Sequence, residues 1–113
     1  MSGLPLFFET RAHLLVCTGP TCRRAGSVAL FANATADLEA RRLAYYASGG
    51  SLRFTESGCL GACATGPTVA AYYADGGTLA QAWYTGMDRE KLLALAQALH
   101  DGATLPIDGR FDR

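Results

Sequence analysis

Four cysteines arranged as two close pairs restrict this chain more than any other feature. Cys17 and Cys22 are separated by four residues, Cys59 and Cys63 by three, and thirty-six residues lie between the pairs. Cys17 ends a short apolar run, His-Leu-Leu-Val-Cys at 13–17, which has the length of a strand and is stopped by Gly19-Pro20. Both pairs sit in stretches punctuated by glycine and proline. Two such loops at the same end of one sheet can present four thiolates to a single centre.

Length and composition set the frame. A chain of 113 residues holds one core, so a single domain is expected over 12–102, with a leader at 1–11 and a polar tail at 103–113. Half the residues are hydrophobic and 18% are charged, which excludes an intrinsically disordered chain. Ten basic residues balance ten acidic ones, so neither a nucleic-acid binder built on phosphate contacts nor a polybasic membrane anchor is expected. The longest apolar run near the start, residues 4–8, is far too short for a membrane helix, which needs about 20 residues, or for a signal-peptide core. A cytoplasmic location follows as the expectation. In that reducing compartment four cysteines read as metal ligands or redox groups before they read as bridges.

The order of elements comes from periodicity and breakers. Strands are predicted at 13–17, 51–55, 68–73 and 79–84, with a hairpin turn at Asp75-Gly76-Gly77. Residues 23–47 read as a long helix, or as two with a break near 33–35, closed by Gly49-Gly50. A last helix begins after Asp88, placed to cap it. It shows Leu92, Leu95, Ala96 and Leu99 on one stripe and ends at Gly102. Phe7 and Phe8 are expected to pack on the domain. Strand, helix, strand, loop, hairpin, helix is the order of a small thioredoxin-like α/β fold, a four-stranded mixed sheet with packed helices.

Each candidate centre makes different demands on the cysteines. Structural zinc takes four thiolates in a tetrahedron, usually from tight knuckles, and the second pair suits this better than the first. A [2Fe–2S] cluster also takes four thiolates, and the wider spacing suits a larger object. A dithiol redox motif needs C-x-x-C, which neither pair has. The three-cysteine run of plant-type ferredoxins is missing, and a Rieske centre would replace two of the cysteines by histidine. Spacing alone leaves a cluster, zinc and an unligated or disulfide set open.

The surrounding residues add to this. The run Gly58-Cys59-Leu60-Gly61-Ala62-Cys63-Ala64-Thr65-Gly66-Pro67, followed by Val69, Tyr72, Tyr73, Gly76 and Trp83-Tyr84, resembles the thioredoxin-like [2Fe–2S] ferredoxins. The likeness spans residues 12–101. It extends to the thioredoxin-fold iron–sulfur subunit of NADH:quinone oxidoreductase, whose first cysteine loop is similar to the one here. The resemblance implies that Cys17, Cys22, Cys59 and Cys63 ligate a [2Fe–2S] cluster. It also implies a one-electron carrier rather than an enzyme, often a homodimer, exchanging electrons with donor and acceptor redox proteins. The rival readings are a subunit of a larger NADH- or hydrogen-linked oxidoreductase, a zinc-stabilised binding module and a dithiol–disulfide oxidoreductase. The short stretch before the first strand favours a stand-alone protein over a subunit. The hairpin from Tyr73 to Trp83 is longer than in the family's free carriers.

Neighbours of the cysteines acquire expected roles. Gly58, Gly61 and Gly66 let the backbone approach sulfur, while Leu60, Ala62 and Ala64 limit water. Arg23 and Arg24 place positive charge after Cys22, which favours a reduced cluster or meets an acidic partner. The start of the long helix adds its dipole in the same sense. Pro67 is expected to be cis and to shape the site. His13 and His100 read as a strand-edge and a helix-end histidine, Arg41 and Arg42 as a solvated helix face. Tyr72, Tyr73, Trp83 and Tyr84 read as packing aromatics.

Overall fold

The computed structural model describes residues 10–44, 51–58 and 66–112. Phe7, Phe8, Gly49, Gly50, Leu60, Gly61, Cys59 and Cys63 therefore lie outside the described residues. The elements in chain order are β1 (Ala12–Cys17), α1 (Pro20–Arg24), α2 (Ser27–Ala40), β2 (Leu52–Ser57), β3 (Val69–Asp75), β4 (Thr78–Tyr84) and α3 (Arg89–Asp101).

The four strands form one sheet in the order β2-β1-β3-β4. β1 and β2 run parallel, with Cys17 opposite Ser57. β1 is antiparallel to β3, with Val16 opposite Val69. The sheet is thus mixed, as the element order requires. β3 and β4 pair along their whole length, from Val69 opposite Tyr84 to Asp75 opposite Thr78. The turn between them is Gly76-Gly77, both at positive φ (58° and 87°). That is the two-residue geometry whose twist matches a hairpin. The extra residues of the long hairpin are therefore ladder and not loop.

Strand alternation puts Ala12, Leu14, Val16, Leu52, Phe54, Val69, Ala71, Ala82 and Tyr84 on one face, and all are buried. The helices cover that face. Leu30, Ala34 and Leu38 of α2 join Leu92, Leu95, Ala96 and Leu99 of α3 in the same core, and Phe31 stacks on Phe54 with ring centroids 4.8 Å apart. Asp37 of α2 and Arg89 of α3 pair in a two-pronged ion pair, at 2.5 and 2.8 Å. The α3 stripe, its Asp88 cap (accepting from Lys91 N at 2.8 Å) and its left-handed end at Gly102 all match expectation.

The long helical stretch differs from its expectation in two ways. Its break falls at Ala25-Gly26, and 33–35 is continuous helix. Gly26 adopts φ 98°, which glycine alone enters without strain, whereas Thr35 turns its hydroxyl back to the Phe31 carbonyl at 2.8 Å and stays helical. The helix also stops at Ala40, well short of 47. Arg42 takes φ 58°, its N–H donates to Glu39 O at 3.0 Å, and Leu43 N–H donates to Leu38 O at 2.8 Å. These two bonds are a Schellman ending with the buried Leu38–Leu43 pair beneath it.

The segment after Gly102 packs back along β4 rather than trailing as a polar tail. Thr85 N–H donates to Gly109 O at 2.9 Å and Phe111 N–H to Trp83 O at 3.0 Å, and the Tyr84 hydroxyl donates to Pro106 O at 2.7 Å. Arg110 is held between Asp112, at 2.8 Å, and the Gln81 carbonyl. Phe111 meets the edge of Trp83. Among the described residues no helix is long and apolar enough to cross a membrane.

Candidate metal centre

β1 delivers Cys17 to the carboxyl end of the parallel β1–β2 pair, and its side chain is fully buried. Three residues later Pro20 starts α1, where a proline costs nothing because that N–H has no helical partner. One short turn of α1 then buries Cys22 completely. Neither cysteine is in a disulfide.

The segment carrying Cys59 and Cys63 is anchored at both ends beside this pair. On one side β2 ends at Ser57, level with Cys17. The Ser57 carbonyl accepts from the N–H of Thr18 at 3.0 Å and from the Thr18 hydroxyl. On the other side the chain re-enters at Gly66. Thr68 O accepts from Cys17 N–H at 2.9 Å, and Pro67 O accepts from Met87 N–H at 3.2 Å. The Gly66–Pro67 peptide is cis, as the resemblance implies. The topology therefore returns 58 and 66, the two flanks of the second pair, to the end of the sheet that holds the first.

Gly66 is the closest of these approaches. A Cβ built there would stand 2.7 Å from Cys22 Sγ, closer than real Cβ contacts come, and a tight 3.1 Å from its Cα. Of the glycines expected to let backbone reach sulfur, Gly66 does so. A Cβ built on Gly58 would meet nothing within 4 Å among the described residues, and Gly61 lies outside them. Buried thiols packed directly on backbone form a donor set suited to soft, thiophilic metal. No group of three His, Cys, Asp or Glu that could hold a metal is found among the described residues, so a four-thiolate site needs the second pair.

The charges stand outside this buried set. Arg23 and Arg24 are exposed in the last turn of α1, and Arg23 Nε donates to the Thr18 carbonyl at 3.1 Å, across the mouth of the first cysteine loop. The expectation that Cys22 heads the long helix is corrected. It lies in the separate five-residue α1, because Gly26 breaks the chain before α2 begins. His13 and His100 each lie within hydrogen-bond distance of a hydroxyl. His13 Nε2 lies 2.8 Å from Thr55 Oγ1, and His100 Nδ1 lies 2.8 Å from Ser51 Oγ at the end of α3. Burial, and then the charge of Arg53, hold His13 below its ordinary pKa.

Two residues near the site escaped the sequence reading. Thr68 and Ser27 are the buried polar side chains of the described residues. Ser27 carried a signal: it falls on the same buried stripe as Leu30, Ala34 and Leu38, where a hydrocarbon is expected.

Comparison with known proteins follows the geometry. Residues 8–100 match the family model of the thioredoxin-like [2Fe–2S] ferredoxins. Among solved structures, the wild-type thioredoxin-like [2Fe–2S] ferredoxin of Aquifex aeolicus is similar with a TM-score of 0.62 and 23% identity, covering 88% of this chain and 93% of that one. A cysteine-to-serine variant of the same ferredoxin gives a TM-score of 0.67 at 20% identity, covering 90% and 99%. No curated protein matches the sequence.

Proposed function

The chain belongs to the thioredoxin-like [2Fe–2S] ferredoxin family, which implies a [2Fe–2S] cluster, and we propose that it is a soluble one-electron carrier holding that cluster on Cys17, Cys22, Cys59 and Cys63. The observation that carries the assignment is the burial of Cys17 and Cys22 at the sheet end to which both flanks of the Cys59–Cys63 segment return. The cluster supplies reversible uptake of a single electron without making or breaking a bond in a substrate.

The residues of the chain do the rest. Four thiolates hold iron in both oxidation states and leave no open position, so the role is electron transfer and not catalysis. Backbone packed on sulfur at Gly66, with the first cysteine pair wholly buried, keeps water off that part of the ligand set. A site that gains negative charge on reduction benefits from nearby cations, and the exposed Arg23 and Arg24 supply them. The same pair offers a docking surface to acidic faces of donor and acceptor redox proteins in the cytoplasm. A second copy of this chain is the further partner proposed, as a homodimer.

Cysteine variants test the ligand set. Replacing any one of Cys17, Cys22, Cys59 or Cys63 by alanine is expected to abolish the cluster or make it labile during anaerobic purification. A variant that keeps the wild-type visible spectrum and iron content removes that residue from the set.

A further inference from the structure

The residue after the first cysteine commits every polar group it has. The Thr18 N–H and the Thr18 hydroxyl both donate to the Ser57 carbonyl, the backbone bond at 3.0 Å, and the Thr18 carbonyl accepts from Arg23 Nε at 3.1 Å. The next carbonyls of the same loop stay within α1: Gly19 O accepts from Arg23 N–H at 2.9 Å and Thr21 O from Ala25 N–H at 3.1 Å. Thr18 is thus the point at which the first cysteine loop reaches sideways.

Ser57 passes the connection on. It ends β2 opposite Cys17, the last pair of the β1–β2 ladder, so Thr18 lies beyond the reach of strand pairing. The Ser57 hydroxyl stands 3.0 Å from Gly58 O and 3.4 Å from Val16 O, and its one proton is better placed for Gly58. Arg23, Thr18, Ser57 and Gly58 therefore form one run of hydrogen bonds. It starts on α1, crosses the first cysteine loop and ends at the residue before Cys59. At the exit of the second segment Gly66 is held against Cys22 by contact. At its entry the tie is this run of bonds. A β-branched side chain suits the place, because it has few χ1 states to give up when its hydroxyl is fixed.

We propose that Thr18 is a positioning residue of the metal centre: its hydroxyl, bonded to the Ser57 carbonyl, sets the spacing between the loop of Cys17 and Cys22 and the entry to the segment of Cys59 and Cys63. The inference rests on the four-cysteine reading above. Thr18 carries no electron and acts through the backbone on either side of the bond. A site whose ligands come from two loops needs those loops held at one separation, and hydrogen bonds behind the ligands do this.

Thr18→Val keeps the shape and removes the hydroxyl, while Ser57 O keeps the Thr18 N–H, so no group is orphaned. Metal-free Thr18→Val is expected to melt within about 5 °C of the wild type. The variant loaded without oxygen is expected to lose iron to a chelator roughly two- to tenfold faster, the factor that one ordinary hydrogen bond is worth. Its paramagnetic signal after reduction is expected to broaden, because the two loops no longer keep one separation. Thr18→Ser, which keeps the hydroxyl, is expected to restore both. A valine variant that holds no chromophore where the serine variant does supports the proposal equally. Wild-type iron release and line width in Thr18→Val overturn it, as does a serine variant that behaves like valine. A metal-free Thr18→Val that melts more than about 10 °C lower overturns it too, since the hydroxyl then serves the whole fold. A wild type that takes up no [2Fe–2S] chromophore overturns the functional reading and this inference with it.

Discussion

Gly66 and Cys22 touch so closely that no side chain fits between them: a Cβ on Gly66 would sit 2.7 Å from the Cys22 sulfur. The contact joins the exit of the second cysteine segment to the first cysteine pair. Both neighbours are fixed, Cys22 within α1 and Gly66 by the strand entry behind it, so neither yields cheaply. Gly66→Ala is expected to cost about 1–3 kcal/mol in the metal-free protein, the range for overfilling a packed site. The loaded variant is expected to bleach faster in air than the wild type. Chemical denaturation and the decay of visible absorbance measure the two effects. A variant with wild-type stability and cluster lifetime would show that the contact yields easily.

Arg42 ends α2 in the left-handed region, at φ 58°. An L side chain there costs roughly 1–2 kcal/mol. Glycine avoids that strain and loses part of the gain to chain entropy. Arg42→Gly is therefore expected to stabilise the fold by about 0.5–1 kcal/mol. A rise in denaturant midpoint with an unchanged slope would confirm it; a fall would mean that the arginine makes a compensating contact.

Tyr84 ties the end of the chain to the sheet. Its ring is buried, its hydroxyl donates to Pro106 O at 2.7 Å, and burial raises its pKa. Tyr84→Phe removes the bond and leaves the carbonyl, at an expected cost of about 1 kcal/mol. Amide exchange should quicken at Thr85 and Phe111, whose N–H groups bond Gly109 and Trp83 in the same strap. Unaltered exchange there would show that the strap holds without the tyrosine.

His13 makes stability depend on pH in a definite sense. Its folded-state pKa lies below the ordinary 6.5, first because of burial and then because of Arg53. The unfolded chain therefore binds the proton more readily than the folded one. The stabilisation is complete above pH 6.5 and is lost as pH falls from there through the folded value. His13→Gln, which keeps a polar partner for Thr55, is expected to flatten the slope of stability with pH below 6.5. An unchanged slope assigns that dependence to another group.

The sequence made the strands, the hairpin and the last helix legible because each has a local cause. These causes are the apolar alternation at 13–17, the Gly76-Gly77 turn and the Asp88 cap with its Leu92, Leu95, Leu99 stripe. Cys17 and Cys22 were legible as site candidates because strand and breaker place them. What escaped depends on contacts distant in sequence. Nothing local to 103–112 shows that Gly109 and Phe111 pair with Thr85 and Trp83. The helix break went to 33–35 because a polar Asn-Ala-Thr run outweighed one glycine, although Gly26 alone can take the φ that a sharp break needs. Ser27 and Thr68 passed unnoticed because a hydroxyl is ordinarily exposed, and only the assembled sheet end reveals their burial.

The central claim meets its most direct measurement in protein purified without oxygen and analysed for iron, acid-labile sulfide and zinc, with paramagnetic resonance before and after dithionite. The account predicts two irons and two sulfides per chain, a red-brown and silent oxidised form, and a one-electron signal on reduction. Stoichiometric zinc, or a colourless chain with no metal, would contradict it.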